Sequence, residues 1–169
     1  MSIGHAHAKL ESKQNGTATI MSEMSGNGQG RTTTKPFSLD RFFDAVVSQN
    51  ATKLASLFEV DATIIWANTD EQFSVAEYVR ATCEYPGNWQ GVIEKVSVEP
   101  VADGKKRVTA IAKVTNDSGN SFRAVSFFEI SRAGLIQTLT EYWGDITQAP
   151  KWRQDLHIGK RIETSLTEA

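Results

Sequence analysis

The alternation of apolar and polar positions is most regular between Phe122 and Asp145, FRAVSFFEISRAGLIQTLTEYWGD, and predicts two long strands joined by a turn. In the first arm, parity puts Phe122, Ala124, Ser126, Phe128 and Ile130 on one face and Arg123, Val125, Phe127 and Glu129 on the other. The second arm divides into Leu135, Gln137, Leu139, Glu141, Trp143 and Asp145 against Ile136, Thr138, Thr140 and Tyr142. Gly134, after Arg132 and Ala133, supplies the positive φ that the turn requires. Both faces are partly apolar, so both are expected to meet other protein or a ligand.

Upstream, the period changes from two to that of a helix. Leu39, Phe42, Phe43, Val46 and Val47 recur at helical spacing behind a candidate cap, Ser38. A second, short helix is expected from Asn50 or Thr52, with Leu54, Leu57 and Phe58 inward, and then a strand over VDATIIWA. Ser74 caps a third helix, VAEYVRATCEY, which places Val75, Tyr78, Val79 and Thr82 on one side and ends at Pro86-Gly87. Two further strands are expected over about Trp89 to Val98 and Arg107 to Thr115, with turn residues at Asp103-Gly104 and from Asn116 to Gly119. Three helices followed by antiparallel strands predict an α+β domain with the helices on one side of the sheet.

Composition sets the boundaries. Residues 1–35 are rich in small polar residues and read as a disordered tail, residues 36–158 as one domain, and residues 159–169 as a C-terminal tail. The 169-residue chain, with 40% hydrophobic residues, is long enough for one domain with a substantial core. A net charge of −2 without a dense Lys/Arg block offers nothing to nucleic acid or an anionic membrane. A lone cysteine, Cys83, excludes an internal disulfide and points to a reducing compartment, taken here as the cytoplasm. No apolar run has transmembrane length. His5 and His7 in GHAH lack further ligands, so no metal site is expected.

The segment FFDAVVSQNATKLASLFEVDATIIW resembles the helix, helix, strand opening of the nuclear transport factor 2-like superfamily, which includes SnoaL-like polyketide cyclases and ketosteroid isomerases. EISRAGLIQTLTEYWGD resembles its closing hairpin, and the likeness runs from about Phe37 to Arg153. It implies a cone in which three N-terminal helices pack on a curved, mostly antiparallel sheet enclosing a pocket. It also implies a homodimer through the outer sheet face, here Ile111, Val125, Phe127, Ile136 and Tyr142. Trp152 and Arg153 are expected to return across the domain as a clasp.

On that template the pocket is lined by Phe42, Trp66, Tyr78, Ala124, Ser126, Phe128, Leu139 and Trp143, with Asp145 near its mouth. The resemblance places Phe42, Trp66 and Ser126 where ketosteroid isomerases carry a tyrosine and two carboxyl groups. None of the three has the required acid or base. Ala124 and Ser126 stand where limonene epoxide hydrolases carry an Arg-x-Asp pair, so that chemistry is missing too. Glu141 is the remaining candidate, in the role of the acidic residue that SnoaL-like cyclases hold near the closing strands. A carboxyl group projecting into the apolar cavity beside Leu139 and Trp143 would have a raised pKa and serve as acid or base; alternatively it pairs with Arg123, Arg153 or a helix residue near the mouth and holds the hairpin in place.

Two functions stay open. The first is a non-catalytic module that binds a small apolar molecule or supports dimerisation. The alternative is a cofactor-independent isomerase, cyclase or hydratase-like lyase acting on a polyketide-like or carbonyl substrate through Glu141. Neither requires a cofactor or metal.

Overall fold

Local capping and strand pairing build the fold, which a computed structural model describes over residues 37–162. The polar tail expected over residues 1–35, with His5 and His7, lies outside the described residues, as does the end of the C-terminal tail beyond residue 162. Helix α1 (Leu39–Val47) starts where the Ser38 hydroxyl accepts from the Arg41 amide, and it buries Phe42 and Ala45. Helix α2 (Ala51–Ala55) is capped by Asn50 and buries Leu54. Phe58, expected to close that helix, instead opens strand β1 (Phe58–Trp66). The Ile136 amide donates to the Leu57 carbonyl at 2.9 Å, so sheet pairing captures the chain two residues early.

Strand β2 (Glu71–Phe73) is three residues of a polar run, too short to show a period, and it pairs with the end of β1. Helix α3 (Val75–Cys83) follows a capping box in which Ser74 and Glu77 satisfy each other's backbone amides. Strands β3 (Trp89–Pro100), β4 (Lys106–Asn116), β5 (Ser121–Ile130) and β6 (Ile136–Asp145) complete the sheet, and a short helix α4 (Lys151–Asp155) follows. The strand order is β2-β1-β6-β5-β4-β3, with β1 parallel to β6 and every other neighbouring pair antiparallel.

Register shifts in β1, in β3 and between β5 and β6 bend the sheet around the helices. Gly91 on β3 leaves no room for a Cβ against the Lys113 carbonyl and the Phe43 ring, so its bareness lets α1 lie against that strand. The concave face follows the predicted parity: Val108, Ala110, Ala112 and Val114 of β4 are buried, as are Ala124, Ser126 and Phe128 of β5. These join Phe42, Leu54, Phe58, Ile64, Tyr78 and Leu139 in the core.

Two expectations are corrected. Ile136, assigned to the outer face by simple alternation, is fully buried. The irregularity that pairs Glu129 with Thr138 but Ile130 with Ile136 reverses parity at the start of β6. Trp152 does not clasp the domain, since it is 61% exposed and its ring is approached by the adjacent Arg153 guanidinium. On the convex face, Ile111 and Val125 are half-buried, whereas Phe127 and Tyr142 are 44% and 49% exposed and meet edge to face. No helix among the described residues is long and apolar enough to cross a membrane.

Candidate functional site

Pairing in β1, β5 and β6 brings three side chains to one point on the concave face. Glu141 of β6 lies in register with Ser126 of β5 on one side and Trp66 of β1 on the other. Tyr78 of α3 closes the group from above. Trp66 Nε1 donates to Glu141 Oε2 at 3.0 Å, Tyr78 Oη donates to the same oxygen at 3.3 Å, and Ser126 Oγ donates to Oε1 at 3.0 Å. Glu141 is 2% exposed.

Burial pushes the Glu141 carboxyl above its ordinary pKa, because a charge is disfavoured there, while the donors from Trp66, Ser126, Trp143 and Tyr78 pull it back. Burial, and then the negative charge of Glu141, drives the Tyr78 hydroxyl well above its ordinary value, so it stays protonated. Neither candidate arginine reaches the carboxyl: Arg123 forms a 2.8 Å ion pair with Glu94, and Arg153 lies over Trp152. The helix partner is Tyr78. With both oxygens accepting hydrogen bonds from protein, the carboxyl acts as the tie between α3 and three strands.

A cavity of about 240 Å³ opens beside this tie. Trp66 and Tyr78 form the wall nearest Glu141, and Glu141 itself does not line the cavity. A row of aromatic contacts forms the other wall: Tyr85 to Trp89 at 5.3 Å, Trp89 to Phe122 at 5.8 Å and Phe122 to Trp143 at 6.5 Å between ring centres. Val46 and Val47 of α1, Ala81 and Thr82 of α3, Val114 of β4 and the turn residues Asn68 and Thr69 complete the lining, and none of the lining residues is charged. The Asn68 side-chain oxygen accepts from the Trp143 amide at 2.6 Å and fixes the turn against β6.

Among the residues expected in the pocket, the structure brings together Trp66, Tyr78 and Trp143. Phe42, Phe128 and Leu139 lie in the core instead. The Phe42 ring stands edge-on to Phe128 at 5.0 Å and Phe37 covers the same ring at 5.5 Å, filling that end of the concave face. Ala124 is buried in register with Trp143, Ser126 is tied to Glu141, and Asp145 is exposed at the end of β6.

Sequence reasoning missed Asn68, Thr69 and Ala81. Ala81 carried a usable signal, being one turn beyond Tyr78, whereas the turn residues show none. Cys83 is half-buried, and burial raises its thiol pKa, which fits a helix residue rather than a nucleophile. Among the described residues no cluster of His, Cys, Asp or Glu has the makings of a metal site.

No protein-family model and no curated protein matches the chain. Solved structures do. A ketosteroid isomerase-like protein from Kribbella flavida superposes with a TM-score of 0.58 at 23% identity, covering 75% of this chain and 88% of that one. Nuclear transport factor 2 from Cryptosporidium parvum gives 0.55 at 18% identity, over 63% and 88% of the two chains. The Orange Carotenoid Protein of Anabaena (Nostoc), solved with canthaxanthin, gives 0.54 at 18% identity over 75% of this chain and 40% of that one. At these identities the likeness is one of architecture, and the order of helices and strands agrees with it: the chain has the nuclear transport factor 2-like fold.

Proposed function

We propose that the protein is a SnoaL-like binding module that takes up a small, uncharged, apolar molecule in the aromatic cavity and does no chemistry on it. The observation that carries this reading is the separation of carboxyl from cavity: Glu141 is engaged on both oxygens and does not line the space a ligand would fill. A general base must come within hydrogen-bond reach of the proton it removes, and this carboxyl is buried, held by three donors, and does not line the cavity. That argument sets aside the cofactor-independent cyclase or isomerase. Neighbours in fold whose descriptions name a ketosteroid isomerase-like protein and a canthaxanthin-binding protein support a pocket that suits apolar molecules.

Three cavity tryptophans, Trp66, Trp89 and Trp143, make intrinsic fluorescence the direct test. Titration with a neutral bicyclic such as tetralin is expected to change the emission saturably, with a dissociation constant of about 1–100 µM for some ten heavy atoms. A linear, unsaturable response would reject the pocket reading.

The convex face belongs to the same proposal. Phe127 and Tyr142, with Ile111 and Val125, form an apolar patch that residues up to 162 leave open, and we assign it to a second copy of the chain. Phe127→Asp combined with Tyr142→Asp is expected to halve the mass seen by sedimentation equilibrium at micromolar concentration. A wild-type monomer would refute the assignment. The half-buried Cys83 thiol fits a cytoplasmic setting.

A further inference from the structure

We infer that strand β3 is an association edge, at which two copies of the chain pair antiparallel about a two-fold axis through Ser97 and join their sheets into one. The sheet ends on β2 at one side and on β3 at the other. β2 has three residues, too few to recruit a strand, whereas β3 has twelve, and no strand among the described residues lies on its outer side. A long edge offers alternate amides and carbonyls to another strand unless charge, proline or a bulge blunts it. Here the register shift between Ile93 and Lys95 and the proline at position 100 bracket an uninterrupted run, Lys95, Val96, Ser97, Val98 and Glu99, every residue of which is exposed.

That run is complementary to a second copy of itself. A two-fold axis normal to the sheet sets opposite one another only residues that point to the same face, so it passes through a residue rather than between two. With the axis at Ser97, Lys95 of one copy faces Glu99 of the other at both ends of the seam, and Val96 faces Val98. Pairing with β4 fixes the face that each takes. Val96 and Val98 stand opposite Ala110 and Val108, which are buried on the concave face, yet are themselves 47% and 56% exposed. Lys95, Ser97 and Glu99 stand opposite Ile111, Thr109 and Arg107 on the convex face. The seam therefore packs valine on valine on one face and sets two Lys–Glu pairs on the other. Moving the axis to Val96 puts Lys95 opposite Ser97, and moving it to Val98 puts Glu99 opposite Ser97, so either shift loses both ion pairs.

The edge is a different surface from the patch of Phe127 and Tyr142, so its pairing is measured with Phe127→Asp and Tyr142→Asp in place as the parent. A seam this short is far smaller than a stable interface, and sedimentation equilibrium at low salt should show the parent's mass rising above that of a monomer only at high micromolar concentration. Lys95→Glu sets Glu against Glu at both ends of the seam, and Glu99→Lys sets Lys against Lys. Each should weaken association at least roughly tenfold. The double variant Lys95→Glu, Glu99→Lys, and an equimolar mixture of the two single variants, should both return to within about threefold of the parent. Recovery on mixing separates lost pairing from lost folding.

A thiol reads the register. With Cys83→Ser removing the native cysteine, Ser97→Cys lies on the axis, where facing Cα atoms are about 4.5–5.5 Å apart and within disulfide reach, and it should oxidise to a covalent dimer. Thr109→Cys, on the same face but one strand further in, should not. A parent that stays monomeric at high micromolar concentration, single charge variants that associate like the parent, a mixture that recovers nothing, or a Ser97→Cys chain that links no faster than Thr109→Cys would each overturn the edge pairing and leave the cavity and convex-face readings intact.

Discussion

Glu141→Ala is expected to lower the unfolding free energy by about 3–5 kcal/mol, measured by urea denaturation. The cost has two sources. Truncation leaves the Trp66 N–H without an acceptor in the protein interior, and the hydroxyls of Ser126 and Tyr78 lose theirs, each at roughly 1–3 kcal/mol before relaxation. The hydroxyls can rotate toward other acceptors, whereas the indole cannot, so the sum falls short of three full penalties. A small void adds to it.

Glu141→Gln should behave differently. Its carbonyl oxygen can accept from Trp66 and Tyr78 while its amide donates to Ser126 Oγ, so the tie survives within about 1 kcal/mol.

The same pair of variants reads the pH dependence. Burial raises the Glu141 pKa in the folded state above its unfolded value, so the folded protein holds that proton more tightly. Its contribution to stability is therefore fully present below the unfolded carboxylate pKa and is lost as pH rises through the folded pKa. The wild type should lose stability relative to Glu141→Gln as pH rises through that window. Parallel curves for the two proteins would show that the carboxyl is not perturbed.

The second large effect concerns the cavity itself. Ala81 is a small residue on its helix wall, and Ala81→Phe places a phenyl ring in the space proposed for the ligand. Affinity for a neutral bicyclic should fall by at least roughly 100-fold, while the stability of the unliganded protein stays unchanged or rises because the ring fills a void. Isothermal titration calorimetry with a thermal melt on the same sample checks both halves. Retained affinity would place the ligand elsewhere.

Much of this arrangement was legible in the residues. Alternation alone sorted Ala124, Ser126 and Phe128 from Val125 and Phe127, because β4, β5 and most of β6 pair without interruption. Ser38, Asn50 and Ser74 marked helix starts because each offers a side-chain acceptor to orphaned amides. Ile136 escaped because one irregular pairing inverts parity, and nothing in the chain's local pattern announces a bulge there.

The position of the cavity escaped for a different reason. Whether a concave face is filled or hollow depends on which rings from other elements reach it. Phe37 and Phe42 fill the Phe128 end, whereas Val46, Val47 and Ala81 are too short to fill the Phe122 and Trp143 end. Glu141 was expected to project into the cavity, whereas it is buried and does not line it. That Trp66 and Tyr78 would occupy its carboxyl could be seen only after β1 was laid parallel to β6 and α3 packed on β1 with Tyr78 reaching Glu141.

The central claim, uptake without reaction, is tested most directly by incubating 5-fluorotryptophan-labelled protein with 1-tetralone in D₂O. The fluorine resonances of Trp66, Trp89 and Trp143 should shift saturably while that of the exposed Trp152 stays put, and the ketone's α-protons should exchange for deuterium no faster than in buffer. Accelerated α-deuteration that disappears in Glu141→Gln, or the absence of any saturable shift, would contradict the account.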